Sequence, residues 1–223
     1  MTHEFCVLLT AAVSLGFFHV LLGPDHTVPF IVMAKARKWP FAKTFAVTAL
    51  CGCGHIGASV LLGLLGMRFG WKMMRLEALE SVRGAWAGWA LLIFGIVYLV
   101  YGMRKAFGIL FRTENARVVL PRRTVRRKLA QGLPWSLFVI FVLGPCEPLI
   151  PLVMIPAARQ NLWEMWAVTI VFGGTTVGTM LGLTAAGVYG LSRFSFVPLG
   201  RFRHALAGVV IFFCAAAVLF LEV

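Results

Sequence analysis

The chain alternates long apolar runs with short polar connections. Runs of mostly apolar residues lie at about 5–34, 42–66, 85–103, 133–157, 162–190 and 204–221. A spanning helix needs roughly 20 such residues, so the pattern predicts six transmembrane helices. The first run holds 30 residues, about 45 Å as helix, against a hydrocarbon thickness near 30 Å. It contains a helix-breaking tetrapeptide, Gly23-Pro24-Asp25-His26, and the fourth run contains a second, Gly144-Pro145-Cys146-Glu147. Six of the ten prolines sit at these breaks: Pro24, Pro29, Pro145, Pro148, Pro151 and Pro156. Proline removes a backbone donor and clashes with the preceding turn, so both runs are expected to be helix–break–helix spans interrupted at mid-depth. Broken backbone at that depth is tolerated only against protein or a wet cavity. The two breaks are therefore expected to face each other inside the protein.

The two breaks belong to a repeat. With an offset of 121 and no gap, residues 23–66 lie over 144–187 with 12 identities in 44 positions, Gly23/Gly144 and Pro24/Pro145 among them. The third runs correspond with an offset of 120, Ala85-Trp-Ala-Gly88 over Ala205-Leu-Ala-Gly208. Three segments per copy is an odd number, so the second copy must enter the membrane upside down. The predicted fold is an all-α integral membrane protein of two inverted three-helix repeats, 1–103 and 133–223, joined by a basic linker over 104–132. Such repeats, broken at corresponding places, point to a transport site near the bilayer midplane.

Charge fixes the expected orientation. The net charge is +13, but its distribution argues against nucleic acid. If the six segments alternate, sixteen of the 21 Lys and Arg fall on one side and five on the other. The positive-inside bias then puts the linker in the cytoplasm and both termini outside, as expected of a multi-pass protein of a bacterial inner membrane. Met1-Thr2-His3-Glu4 lacks the basic region of a signal peptide, so the first run is expected to be retained. The linker's Pro121-Arg-Arg-Thr-Val-Arg-Arg-Lys128 suits anionic headgroups, or a cytoplasmic partner. Residues 68–83 mix apolar side chains with both charge signs and read as an interfacial amphipathic helix without chemical signal. The glycines of the second and fifth runs read as close helix packing.

Of the eight acidic residues, only Asp25 and Glu147 lie inside predicted spans and away from their ends. A carboxylate at the bilayer centre costs at least about 2.5 kcal/mol and is functional by default. His19, His26 and Cys146 accompany them. In the second run Cys51 and His55 stand at i, i+4, the spacing that lets two side chains share a metal; Cys53 points elsewhere on that helix. The candidate metal ligands are thus His19, Asp25, His26, Cys51, His55, Cys146 and Glu147. Imidazole, thiolate and carboxylate together suit borderline and soft divalent ions such as nickel, cobalt, zinc or copper. Each residue also has a plainer reading. Asp25 and Glu147 could cap the half-helices that follow the prolines, His19 and His55 could be hydrogen-bonded packing residues, and Cys51 and Cys53 could be small core residues. Cys6, Cys214, His3 and His204 read as structural. The five cysteines are odd in number and lie in or beside apolar segments, which is no extracellular disulfide framework.

The stretch Gly16-Phe-Phe-His-Val-Leu-Leu-Gly-Pro-Asp-His26 resembles the first-helix signature of the urease-accessory UreH-like transmembrane family and, more loosely, the nickel/cobalt transporters. His19 here precedes Asp25-His26 by one residue more than the permease spacing. The resemblance implies that His19, Asp25 and His26 contact metal. Leu143-Gly-Pro-Cys-Glu-Pro-Leu-Ile-Pro151 resembles the membrane thiol carriers of the DsbD/CcdA type, which have Pro-Cys breaks in both repeats and pass electrons from cytoplasmic thioredoxin. In this chain Asp25 replaces one cysteine of that symmetric pair. Two functions are therefore expected to compete: transport of a transition-metal cation, and thiol–disulfide electron transfer by Cys146 with Cys51 or Cys53. A third is a non-transporting membrane partner for metalloenzyme assembly. No permanently bound cofactor is expected. The expected partners are the lipid bilayer, the cation as cargo, and a cytoplasmic metallochaperone or thioredoxin.

Overall fold

The computed structural model describes residues 3–110, 134–158, 161–193 and 200–221. Among the described residues eight α-helices follow one another: α1 (His3–Leu22), α2 (Val28–Arg37), α3 (Phe41–Arg68), α4 (Met73–Leu110), α5 (Pro134–Leu143), α6 (Leu149–Ala158), α7 (Leu162–Arg193) and α8 (Arg203–Leu221). No strand occurs among the described residues. Five helices, α1, α3, α4, α7 and α8, are long and apolar enough to cross a membrane, and the most apolar stretch of each buries only 28–39% of its residues. The remaining faces carry exposed Val, Leu, Ile, Phe and Trp side chains. An apolar exterior around a partly polar interior is the arrangement of an all-α, multi-pass membrane protein.

Both tetrapeptides interrupt helices as their prolines dictate. The first forms a 3₁₀ turn, Pro24–His26, between α1 and α2, with His26 N–H donating to the Gly23 carbonyl and Thr27 N–H to the Pro24 carbonyl. The second separates α5 from α6. The interruptions differ in depth from the expectation. α1 alone has 20 residues, about 30 Å, so the first break lies at the end of a full-length helix and not halfway along one. The fourth apolar run instead consists of two ten-residue helices, α5 and α6, neither long enough to span alone.

α4 corrects another expectation. Residues 73–83 do not form a separate interfacial helix; they are the opening turns of one 38-residue helix. No proline interrupts this stretch, and Leu76, Glu80, Ala87 and Leu91, all buried, fall on one helical stripe. At its other end α4 runs through 104–110, the beginning of the expected linker. The basic run 121–128 lies outside the described residues.

The most extensive helix pairing is α4 with α8, followed by α1 with α7 and α3 with α7. α2 packs on α8, and α6 on α4. Glycine permits the α4–α8 approach. A Cβ added at Gly95 would lie 2.7 Å from the Phe212 backbone N, one at Gly102 would meet the Ala205 backbone, and one at Gly208 would meet that of Leu99. By contrast Gly57, Gly174, Gly178 and Gly182, in the glycine-rich runs expected to be packing sites, have nothing within 4 Å of such a Cβ. Side chains at the α4–α8 crossing cannot be accommodated without separating two backbones. Gly102→Val is therefore expected to lower stability by about 1–3 kcal/mol, read as a drop in the thermal midpoint in detergent, whereas Gly178→Ala stays within about 0.5 kcal/mol of the parent.

Candidate metal centre

The site is assembled from the end of α1, the first break, the middle of α3, the second break and the opening turns of α4. His19 sits one turn before Gly23, whose N–H donates to the His19 carbonyl. The backbone then folds so tightly that only glycine fits at 23. A Cβ there would lie 2.6 Å from His26 Nδ1 and 2.9 Å from Asp25 Oδ1. Those two atoms are themselves 2.9 Å apart. Asp25 is the acceptor, so His26 Nδ1–H donates, and in the neutral ring the lone pair is on Nε2.

His55 enters from α3, fully inside the protein at 2% exposure. Its Nδ1 lies 3.3 Å from the Phe141 carbonyl on α5. A carbonyl can only accept, so Nδ1 carries the hydrogen and Nε2 presents a lone pair. Glycine again makes room, since a Cβ at Gly144 would stand 3.1 Å from His55 Nδ1. The motif glycines of the two breaks thus each clear space for a histidine. The rings of His19, His26 and His55 form a cluster, with centroids 4.5 Å (19–26), 5.1 Å (26–55) and 5.9 Å (19–55) apart.

Cys146, at 0% exposure, completes the group. One ring nitrogen of His19, one of His55 and Cys146 Sγ all lie within 4.8 Å of one another. Nε2 of His19 and Nε2 of His55 are both buried without a hydrogen-bond partner among the described residues. Two buried, unpartnered imidazole nitrogens beside a thiol are costly as packing. As ligands they are satisfied.

A cavity of about 860 Å³ adjoins this group. His19, Asp25, His26 and His55 line it together with Gly144, Pro145 and Glu147. Both breaks therefore face one chamber, with Asp25 half-buried and Glu147 exposed. Cys51 does not join them. It is fully buried in an apolar cluster with Val20, Phe30, Met33 and Met180, whereas Cys146 packs in a different cluster with Leu149, Val153 and Phe172. The i, i+4 spacing of Cys51 and His55 is real, but only His55 reaches the donor group. Cys53 is exposed, and Cys6, Cys51, Cys53, Cys146 and Cys214 are all free thiols.

Two site residues escaped the sequence reading. Glu80 on α4 is completely buried. Its Oε2 accepts from the Cys146 backbone N–H at 3.2 Å and from Arg83 Nη2 at 3.1 Å. Arg83 Nη2 also donates to the Gly144 carbonyl at 2.7 Å and to Ser59 Oγ at 2.6 Å. This pair thus takes up the backbone groups that the second break leaves unpaired on either side of Pro145, while Gly84 gives the proline ring its seat: a Cβ there would meet Pro145 Cγ at 2.7 Å. The available signal was the buried stripe of α4, on which Glu80 stands in register with Leu76 and Ala87.

Searches of protein-family models, of curated proteins and of solved structures found no match to this chain.

Truncating one member of a buried ion pair leaves the other uncompensated. Glu80→Ala is expected to cost about 3–5 kcal/mol. Glu80→Gln also removes the counter-charge of Arg83 but keeps an acceptor for Cys146 N–H, so it is expected to cost less than Glu80→Ala by about 1–3 kcal/mol, the penalty of one unsatisfied buried donor. Chemical denaturation of the two variants in the same detergent measures the difference.

Proposed function

We propose that this chain moves a transition-metal cation across a membrane, using a site built where its two broken segments meet. The observation that carries the reading is the convergence of His19, His55 and Cys146 donor atoms within 4.8 Å, with both imidazole Nε2 atoms buried and unpartnered. In this reading the cation is cargo. Asp25 and Glu147, lining the adjoining chamber, offset the hydration the ion loses on entry. His26, held by Asp25, offers a further imidazole along the path.

The wider architecture in this proposal is six spans in two inverted repeats, with α5 and α6 together making the fourth span. The reciprocal packing of α2 on α8 and of α6 on α4, around a central α4–α8 pair, supports it. So does the packing of α5 on α3, where Phe138 and Val142 abut Gly54, alongside that of α1 on α7, where Phe172 and Thr176 abut Gly16. Alternating access then comes from the two repeats rocking about the site between them. The charge asymmetry supports a cytoplasmic linker, both termini outside and a bacterial inner membrane as the location. A cytoplasmic metallochaperone fits that linker as a partner. The likeness of the stretch Gly16–His26 to UreH-like and nickel/cobalt transporter signatures supports the same reading, whereas the second tetrapeptide is similar to that of the thiol carriers. Thiol–disulfide transfer of the DsbD/CcdA type, with thioredoxin as partner, would need Cys146 to pair with Cys51 or Cys53. Cys51 belongs to a different apolar cluster and Cys53 is exposed, so the geometry favours metal over electrons.

Purified protein in liposomes is expected to admit a transition-metal ion to a trapped fluorescent chelator. His55→Ala and Cys146→Ala are each expected to slow entry at least tenfold, and Cys6→Ala to leave it unchanged. Ligation requires a deprotonated thiol and neutral imidazoles, so protons compete, and binding is expected to weaken steadily as pH falls. Liposomes that carry no metal at any pH would contradict transport and favour a non-transporting partner in metal-centre assembly.

A further inference from the structure

We propose that the ion held by His19, His55 and Cys146 is a monovalent soft cation, Cu(I) or its analogue Ag(I), and not a divalent ion. The inference rests on the metal-transport reading and narrows it.

The first argument is coordination number. The donor group contains two imidazoles and one thiol whose ligand atoms lie within 4.8 Å of one another, and no fourth His, Cys, Asp or Glu among the described residues keeps that spacing to all three. The His26 ring, 4.5 Å from that of His19 and 5.1 Å from that of His55, is held by Asp25. Zinc in closed protein sites takes four ligands, and nickel and cobalt take more varied sets that include oxygen. A d¹⁰ monovalent ion is satisfied by three soft or borderline donors. Metal–ligand bonds of about 2.0–2.3 Å place trigonal donors about 3.6 Å apart. The three atoms lie within 4.8 Å, so a small inward movement closes the site around an ion.

The second argument is where the nearby carboxylates are committed. Asp25 Oδ1 accepts from His26, and Glu80 Oε2 accepts from both Arg83 and the Cys146 backbone. Glu147 is exposed on the chamber wall. Asp25 Oδ1 and Glu80 Oε2 are thus turned to other work and Glu147 is held apart. Glu80 Oε1 is buried without a hydrogen-bond partner among the described residues, but Glu80 is not one of the donors that lie within 4.8 Å of one another. What remains at the point of ligation is one thiolate and two neutral rings. With a monovalent ion these make an uncharged complex. With a dication the three ligands leave a net positive charge where Cys146 and His55 are almost wholly buried, which only carboxylates outside the ligand set, Asp25 and Glu147 on the chamber wall, could offset.

The third argument is softness. Thiolate favours Cu(I) and zinc over the harder first-row dications, and the thiol here is the one anionic donor of the group. Coordination number is what separates Cu(I) from zinc.

The test uses the full chain in lipid nanodiscs under anaerobic, reducing conditions. Cu(I) is titrated against a chromophoric Cu(I) chelator, and Zn(II), Ni(II) and Co(II) are titrated separately against their own chelators. X-ray absorption is recorded on the copper-loaded parent protein. We expect one Cu(I) per chain, three-coordinate, with one sulfur and two nitrogen scatterers. Cys146→Ser and His55→Asn are each expected to weaken Cu(I) binding at least 100-fold, and Cys53→Ala less than twofold. The absorption spectrum needs no variant, so a poorly folded substitution does not remove the test. Tighter binding of a divalent ion, lost on Cys146→Ser, would overturn the monovalent assignment while leaving metal transport standing. Cu(I) bound without a sulfur scatterer would overturn it as well. A parent protein that binds none of the four ions would overturn both.

Discussion

The structure depends on how a broken helix is made tolerable in an apolar interior. Every peptide N–H and C=O that a proline or glycine frees must find a partner, because the bilayer core offers no water. The two breaks solve this differently. The first closes on itself through a 3₁₀ turn, with His26 and Thr27 bonding back to Gly23 and Pro24. The second is held from outside by Glu80 and Arg83 of α4, which take the Cys146 N–H and the Gly144 carbonyl. Burying that ion pair is not a gain in stability in itself. Its use is to fix the backbone on both sides of Pro145, and so the direction of the Cys146 side chain.

From that constraint the chemistry of the interior follows. Gly23 and Gly144 have no side chain because histidines occupy the space a Cβ would need. The hydrogen bonds of His26 to Asp25 and of His55 to the Phe141 carbonyl engage Nδ1–H, so that in the neutral rings the lone pair is on Nε2, which in His55 is buried. Such outer contacts set tautomer and ring orientation at metal sites. The unmet hydrogen-bonding capacity of His19 and His55 stands beside the Cys146 thiol, and it is what a ligand would satisfy. Local structure at the breaks, packing against α4 and the proposed transport of a soft cation form one chain of cause.

Much of this was legible in the sequence, for identifiable reasons. Apolar runs and Gly-Pro pairs are local signals, and they located both interruptions. Intramembrane His, Asp, Cys and Glu are rare because they are expensive, so His19, Asp25, His26, His55, Cys146 and Glu147 stood out, and the structure gathers them around one chamber or beside it. Helix spacing alone could not say which neighbours Cys51 would meet, and it lies among apolar side chains one turn from His55. Glu80 and Arg83 were hidden because a charged pair near a helix end resembles an interfacial surface until its partner, the distant Cys146 break, is known. The glycines were legible in part. Their number in the second and fifth runs suggested close packing, and Gly54, Gly66 and Gly187 are closed in by Phe138, Leu76 and Ile31, whereas Gly57, Gly174, Gly178 and Gly182 stand open. The approach of two backbones is between α4 and α8, where three widely spaced glycines face backbone.

The central claim is that the second break carries Cys146 to the imidazoles of the first half of the chain. Solid-state NMR on bilayer-embedded protein tests it without assuming any activity. The sample has ¹⁵N-labelled histidine, ¹³C-labelled cysteine, and Cys6, Cys51, Cys53 and Cys214 changed to alanine. Dephasing of the Cys146 Cβ signal by imidazole nitrogens, reduced when His55 is changed to Asn, is the predicted result. A Cys146 signal that the histidine nitrogens leave untouched would mean that the two breaks do not meet, and the account would fail with them.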